Sequence, residues 1–357
     1  LKPRVGQPQP KLQPHEGIRS SMAGCCAVSG ETTGQRCIVA TSDLQIGTEV
    51  LREAPAIVAP ASIDIGSAVC PHCLRLRTPS PTPSRSRWVG VPCPACGDEE
   101  LAFCSEQCFS ERSAAHLAEC SHINDLLGLL FEVRLPLHRA MMLLRCFLGA
   151  QVPACTGSDL EIVEGQPSAF LTLLEHHHDE GTKSKSSERF ANFLASCTPG
   201  SASTHSACTS LAEEVEVLFS KMDTYAFGCG GDGASGEFVY GGALFRLASF
   251  VNHSCCPNAV TRWDPDNGEM VVTAVQPIAA GEEVTISYLG HRCAGLRCAD
   301  EACRCREGRG GEAASSVSSA EEWFWPDMSC DQRREKLLTT KSFWCKCPRC
   351  TREAHEE

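Results

Sequence analysis

The chain has 357 residues, 42% hydrophobic and 21% charged, and its 32 basic and 44 acidic side chains give a formal net charge of −12. That length allows a sizeable core and about two or three domains, and the acidity argues against general binding to phosphate backbones and for a basic, lysine-rich partner. No apolar run approaches the ~20 residues of a bilayer span, and the 25 cysteines fall in C-x-x-C and C-x-C clusters with no apolar secretory segment before them, so a soluble, intracellular, reduced chain with zinc ligands is expected rather than a disulfide framework.

Residues 1–30 are rich in Pro, Gln and Ser and read as a disordered leader, with Met22 as a candidate start. Residues 36–41, 49–51 and 57–58 read as strands, with Ile46-Gly47-Thr48 as a turn. The order Cys70-x2-Cys73-x19-Cys93-x2-Cys96-x7-Cys104-x3-Cys108-x7-His116-x3-Cys120 supplies eight soft ligands, enough for two tetrahedral zinc sites. The pairs Cys104/Cys108 and His116/Cys120 have the spacing of one helix face each. The loop 74–92 carries Arg75, Arg77, Arg85 and Arg87 and reads as solvated, with a basic nucleic-acid patch as the alternative.

Helical periodicity follows at 121–147, broken at Pro136, and again at 188–197 and 211–222. His176-His177-His178 lies among Asp, Glu, Lys and Ser and reads as a solvated loop before a metal site. The glycine-rich stretch 228–236 lacks phosphate-cradle spacing and reads as a turn. Short strands are expected at 237–240, 259–263, 269–275 and 284–288, with a hairpin turn at 264–268. The segment 290–327 holds Cys293, Cys298, Cys303 and Cys305 before a Gly/Ser-rich run, and reads either as a further zinc site or as a flexible insertion. A helix is expected over 333–338.

Three motifs organise the rest: Asn252-His253-Ser254-Cys255-Cys256-Pro257-Asn258, Gly281-Glu282-Glu283-Val284-Thr285-Ile286-Ser287-Tyr288, and Cys345-x-Cys347-x-x-Cys350. Together with the 70–120 cysteines, this ordered set resembles the SET and MYND domain family of protein lysine methyltransferases, and its motif order is closest to the arthropod-type members. The resemblance implies an α+β chain: a β-rich SET fold split by a MYND zinc finger and a helical insert, with a cysteine-rich post-SET zinc tail. The expected division is a leader at 1–30, the first part of SET at 31–69, the finger at 70–120, the helical insert at 121–223, core SET at 224–289, the insertion at 290–327 and the post-SET segment at 328–357.

The family resemblance also implies roles. Tyr288 is the expected catalytic residue and, with Arg36, Ser249, Asn252, His253 and Phe343, would contact S-adenosylmethionine. The finger sites would be interleaved, Cys70, Cys73, Cys104 and Cys108 on one zinc and Cys93, Cys96, His116 and Cys120 on another. Cys255, Cys345, Cys347 and Cys350 would hold a third. The implied activity is methylation of lysines in histone or other proteins, in cytoplasm and nucleus. Its chemistry needs a neutral amine, because lysine's ordinary pKa is near 10.4, and a dry channel that aligns the amine with the methyl donor. The chain departs from the family at Gln35 and Cys37, at Tyr225, where an Asn is usual, and at Lys341, where many active members place a second channel tyrosine. The alternative is a weak or inactive adaptor whose finger binds proline-rich partners in transcriptional repression. A DNA-binding zinc protein fits neither the charge nor the finger spacing.

Overall fold

The computed structural model describes residues 20–22, 26–29, 36–62, 69–76, 90–97, 101–133, 135–150, 185–197, 205–230, 240–289 and 328–354. The expected insertion with Cys293, Cys298, Cys303 and Cys305, the His176–His178 run, Arg77, Arg85 and Arg87, and most of the 228–236 stretch lie outside them. In chain order the elements are β1 (Ser20–Met22), β2 (Cys26–Ser29), β3 (Cys37–Ala40), β4 (Glu49–Glu53), β5 (Ile57–Pro60), α1 (Glu106–Glu119), α2 (Ile123–Val133), α3 (Leu137–Ala150), α4 (Lys185–Cys197) and α5 (His205–Tyr225). Then follow β6 (Phe227–Cys229), β7 (Gly241–Leu244), β8 (Asn252–His253), β9 (Ala259–Asp264), β10 (Glu269–Ala274), β11 (Thr285–Ile286), α6 (Cys330–Lys341) and α7 (Pro348–Glu353). Among these helices none is long and apolar enough to cross a membrane.

Strands order as β1-β4-β10-β9, β5-β7-β6, β2-β3 and β11-β8. The β9–β10 hairpin turns where Asp264 Oδ1 accepts from the N–H groups of Asp266 and Asn267 and Gly268 takes φ +65, the Asx-type turn its sequence favours. Gly241 opens β7 where a Cβ would collide with the Ala59 carbonyl of β5, so only glycine permits that pairing. The leader expected at 1–30 is corrected in part. β1 pairs antiparallel with β4 and β2 with β3, because both partners offer an otherwise open strand edge that a polar segment can satisfy by backbone bonds alone.

One apolar core joins the sheets to the helices, with Val50, Val58, Met142, Leu144, Phe190, Val215, Phe245 and Val272 all buried in it. Glu53 is a charge-bearing exception at 0% exposure. Its carboxylate accepts from the backbone N–H groups of Arg246 (2.7 Å), Leu247 (3.0 Å) and Ala248 (3.0 Å). Burial pushes the Glu53 carboxyl up, and those three donors pull it back. The effect is to shape the turn 245–250 that delivers the chain into β8. Residues 284–288, expected as one strand, form only β11, whose two residues pair parallel with β8 in the register Thr285↔Asn252 and Ile286↔His253.

Candidate active site and metal centres

Two cysteine groups are built on either side of α1. Cys70, Cys73, Cys104 and Cys108 gather in one, and Cys93, Cys96, His116 and Cys120 in the other, each with ligand atoms within 4.8 Å of one another. Cys108 and His116 lie inside α1, while Cys104 and Cys120 flank it, Ser105 capping the start through the Cys108 N–H. Leu74 takes a left-handed φ of +55, which closes the knuckle as its N–H bonds to the Cys70 carbonyl. A tetrahedral zinc with Zn–S bonds of about 2.3 Å sets its sulfurs about 3.8 Å apart. Observed separations are 3.9 Å for Cys70–Cys108, 3.4 Å for Cys73–Cys104 and 4.0 Å for Cys93–Cys120. The donor sets therefore fit zinc.

The sequence did not mark what holds His116. Its Nε2 faces Cys96 Sγ at 3.6 Å and its Nδ1 faces Glu119 at 3.5 Å, the carboxylate–histidine arrangement that orients a metal ligand. Glu119 is fully buried and bound through both oxygens by Arg145 of α3, at 2.6 and 2.7 Å. Arg145 also donates to the carbonyls of Val58 and Pro71. Burial would raise the Glu119 carboxyl, but Arg145 overrides it and holds it at about 2. This buried pair bolts the cysteine-rich segment to the core, so the segment is not an independent module. Arg145→Met leaves Glu119 buried without its guanidinium partner, and is expected to destabilise the chain by roughly 3–5 kcal/mol. Denaturant unfolding of the two proteins measures it, and a loss under about 1 kcal/mol would contradict this bolt.

The third group sits where the chain's end meets β8. Cys255, Cys345, Cys347 and Cys350 place their sulfurs within 4.8 Å, with Cys255 at 3.8 Å from Cys345 and 3.5 Å from Cys350. Hydrogen bonds from Cys255, Cys345 and Cys350 hold the Cys347 thiol far below its ordinary value, and the same contacts drive Cys255 far above it. Cys350 is held down as well, at about 6, while Cys345 is driven up like Cys255, so the four sulfurs share their charge unevenly, and a dication would let all four ionise. α7 starts from Cys347 with Pro348 at its first position. Ser329 and Gln332 form a capping box that starts α6 three residues before the expected helix. Arg333, 1% exposed, reaches Cys350 Sγ (3.5 Å) and Glu353 (2.5 Å) and fixes α6 against α7.

Beside that group lies Tyr288. Its hydroxyl donates to the Val251 carbonyl at 2.8 Å. Burial, then the neighbouring Tyr225 and Glu283, pushes its phenol above the ordinary value. The Tyr288 N–H donates to His253 Nδ1 at 3.0 Å, so the ring's single proton sits on Nε2, 3.2 Å from Cys255 Sγ. Burial holds His253 down at about 4, which keeps it neutral. His253 therefore ties the third cysteine group to the Tyr288 backbone. Phe343 closes the wall, its ring 6.2 Å from Tyr288 at 89° and 5.9 Å from His253.

The other expected cofactor residues are nearby but occupied. Asn252 donates to the Arg36 carbonyl (3.2 Å) and to Glu283 (2.8 Å). Ser249 is 3% exposed; its hydroxyl accepts from the Phe245 N–H at 3.3 Å and donates to the Tyr225 carbonyl at 3.5 Å. Asn258 ends the motif that begins at Asn252. It staples β11, accepting from the Thr285 N–H and donating to the Glu283 carbonyl, both at 2.8 Å.

A family model for the SET domain matches residues 35–289. The chain is 34% identical over 127 residues to "Protein-lysine N-trimethyltransferase SMYD5" of Homo sapiens, covering 35% of this chain and 23% of that protein. It is 24% identical over 335 residues to "Histone-lysine N-methyltransferase ASHR2" of Arabidopsis thaliana, covering 88% of this chain and 69% of the relative. A 74-residue stretch is 41% identical to part of "Histone-lysine N-methyltransferase Set2" of Drosophila melanogaster, 20% of this chain and 3% of that protein. The chain thus spans under a quarter of the human relative's length.

Proposed function

The chain belongs to the SET domain family, and on that premise we propose that it is an S-adenosylmethionine-dependent protein lysine methyltransferase of the SET and MYND kind. The observation that carries this reading is the packing of the Tyr288, His253 and Phe343 rings into one cluster, anchored by the third cysteine group. S-adenosylmethionine, when bound, supplies an electrophilic methyl group on a sulfonium. The protein's part is to align the incoming amine, keep it neutral and exclude water. The Tyr288 hydroxyl and the Val251 carbonyl that accepts from it would stand as a donor and an acceptor for the amine.

Asn252 joins Arg36 and Glu283 at one point, and Phe343 supplies an aromatic face for an adenine. With the His253 and Ser249 side chains engaged inside the protein, their main chain is what a cofactor would meet. The twelve Cys and His ligands would hold three zinc ions, two in a MYND-type finger at 70–120 and one in a post-SET tail, with zinc supplying cross-links. The substrate is a lysine-bearing protein, which the chain's net charge of −12 suits, and the finger would take proline-rich peptides.

Calorimetry with S-adenosylmethionine, followed by methyl transfer to a lysine peptide mixture, tests the proposal. Asn252→Ala is expected to weaken cofactor affinity about tenfold, the loss of roughly 1.4 kcal/mol that two hydrogen bonds at this position supply. Neither binding nor transfer by the native chain would shift the weight to the adaptor role.

A further inference from the structure

Lys341 is the last residue of α6, and Ser342 after it takes a left-handed φ of +57 that turns the chain back toward Phe343. Its Nζ lies 5.6 Å from the centre of the Tyr288 ring. Two backbone carbonyls at the end of α5 accept from it, Asp223 at 2.8 Å and Thr224 at 3.1 Å. The neighbouring Asp223 carboxylate is turned to Arg139, at 2.6 Å, so Lys341 has carbonyl partners rather than a close ion pair. The family resemblance implies only the loss of a phenol here. The structure instead supplies an amine beside the Tyr288 ring.

We propose that Lys341 is a substrate of the chain's own methyl transfer, a self-methylation site beside Tyr288. The inference rests on the methyltransferase function proposed above. An attacking amine needs two N–H bonds held and its lone pair free, and two carbonyls provide that arrangement for a neutral lysine. Burial favours the neutral form, against the pull of Asp223. In the reaction Lys341 first gives one proton to water. Its nitrogen lone pair then attacks the methyl carbon of the sulfonium donor. The carbon–sulfur bond breaks with its electrons going to sulfur, which leaves a neutral thioether and a methylammonium on Lys341. That monomethylammonium keeps two N–H bonds, one for each carbonyl. A second methyl would leave one carbonyl without its donor, so the modification stops at one methyl group.

The test incubates the full chain with methyl-labelled S-adenosylmethionine and maps the label by peptide mass. One methyl group on Lys341 is expected, at a rate independent of chain concentration, as an intramolecular step requires. Tyr288→Phe slows this labelling, and Lys341→Arg, which retains donors for both carbonyls, removes the label from that peptide. Transfer to an added lysine peptide with Lys341 unmodified overturns self-methylation alone. A labelling rate that scales with chain concentration overturns the intramolecular step. No transfer to Lys341 or to any peptide overturns both this inference and the proposed activity.

Discussion

Tyr288→Phe is expected to lower methyl transfer by about 10²-fold or more while cofactor affinity changes little. The substitution removes one hydroxyl and keeps the ring, and the ring is what packs at 5.4 Å from His253 and at 6.2 Å from Phe343. The pocket wall therefore persists. What is lost is the donor to the Val251 carbonyl, and with it one preorganised polar group at the reacting centre, whose removal typically costs 10²–10³ in rate. An unpaired carbonyl costs roughly 1–3 kcal/mol of stability, which a domain of this size tolerates. Cofactor calorimetry and single-turnover methyl transfer, run on both proteins, separate the two effects. Equal turnover would remove Tyr288 from the mechanism. A parallel loss of affinity and rate would make it a binding residue instead.

Breaking the third cysteine group is expected to have a larger effect. Cys345→Ser should remove one metal from the three expected and abolish cofactor binding. Cys345 stands two residues from Phe343, and its backbone carbonyl accepts from Arg334 at 3.1 Å. The same cluster fixes Cys255 and, through the two ring nitrogens of His253, the backbone of Tyr288 just beyond β11. Structural zinc sites contribute on the order of 10–16 kcal/mol to folding of their segment, comparable with the whole stability of a domain. Native mass spectrometry counts the metals, and calorimetry reads the cofactor. Cys256→Ser is the control, since Cys256 adjoins Cys255 but stands outside the group. A Cys345→Ser protein that keeps normal cofactor affinity would show that the tail does not complete the pocket.

The cysteine groups were legible because metal ligation imposes short, fixed spacings on the chain. Cys70 through Cys120, and Cys345 to Cys350, could be read off as ligand sets, and the structure gathers those same residues. Tyr288, His253 and Phe343 came from motif order, and they share one wall. What escaped is long-range. Arg145 and Glu119 lie 26 residues apart and Glu53 and Ala248 lie 195 apart, and no local pattern announces such partners. The strand expected over 284–288 shrank to Thr285–Ile286 because its partner β8 is only two residues long. β1 and β2 escaped because their pairing rests on the backbone, which composition does not report. Lys341 showed only an absent hydroxyl in the sequence. Its amine acquires meaning from α5 and Tyr288, which the fold brings to it.

The carboxylate of Glu53 has a consequence for biosynthesis. Its first backbone donor, Arg246, lies 193 residues further along the chain. At ordinary elongation rates of about 5–20 residues per second, roughly 10–40 s pass on the ribosome before that donor is made. During that time Glu53 must stay hydrated, so the end of β4 cannot be buried, and the edge of β4 that pairs with β10 stays open. Closure waits for the 245–250 turn and for β10 beyond it, and Asn252 draws in Arg36 across 216 positions. The pocket is thus assembled late, from the two ends of the domain at once. Nascent chains halted before residue 246 should expose an unpaired, apolar sheet edge, and should be held by chaperones rather than released folded.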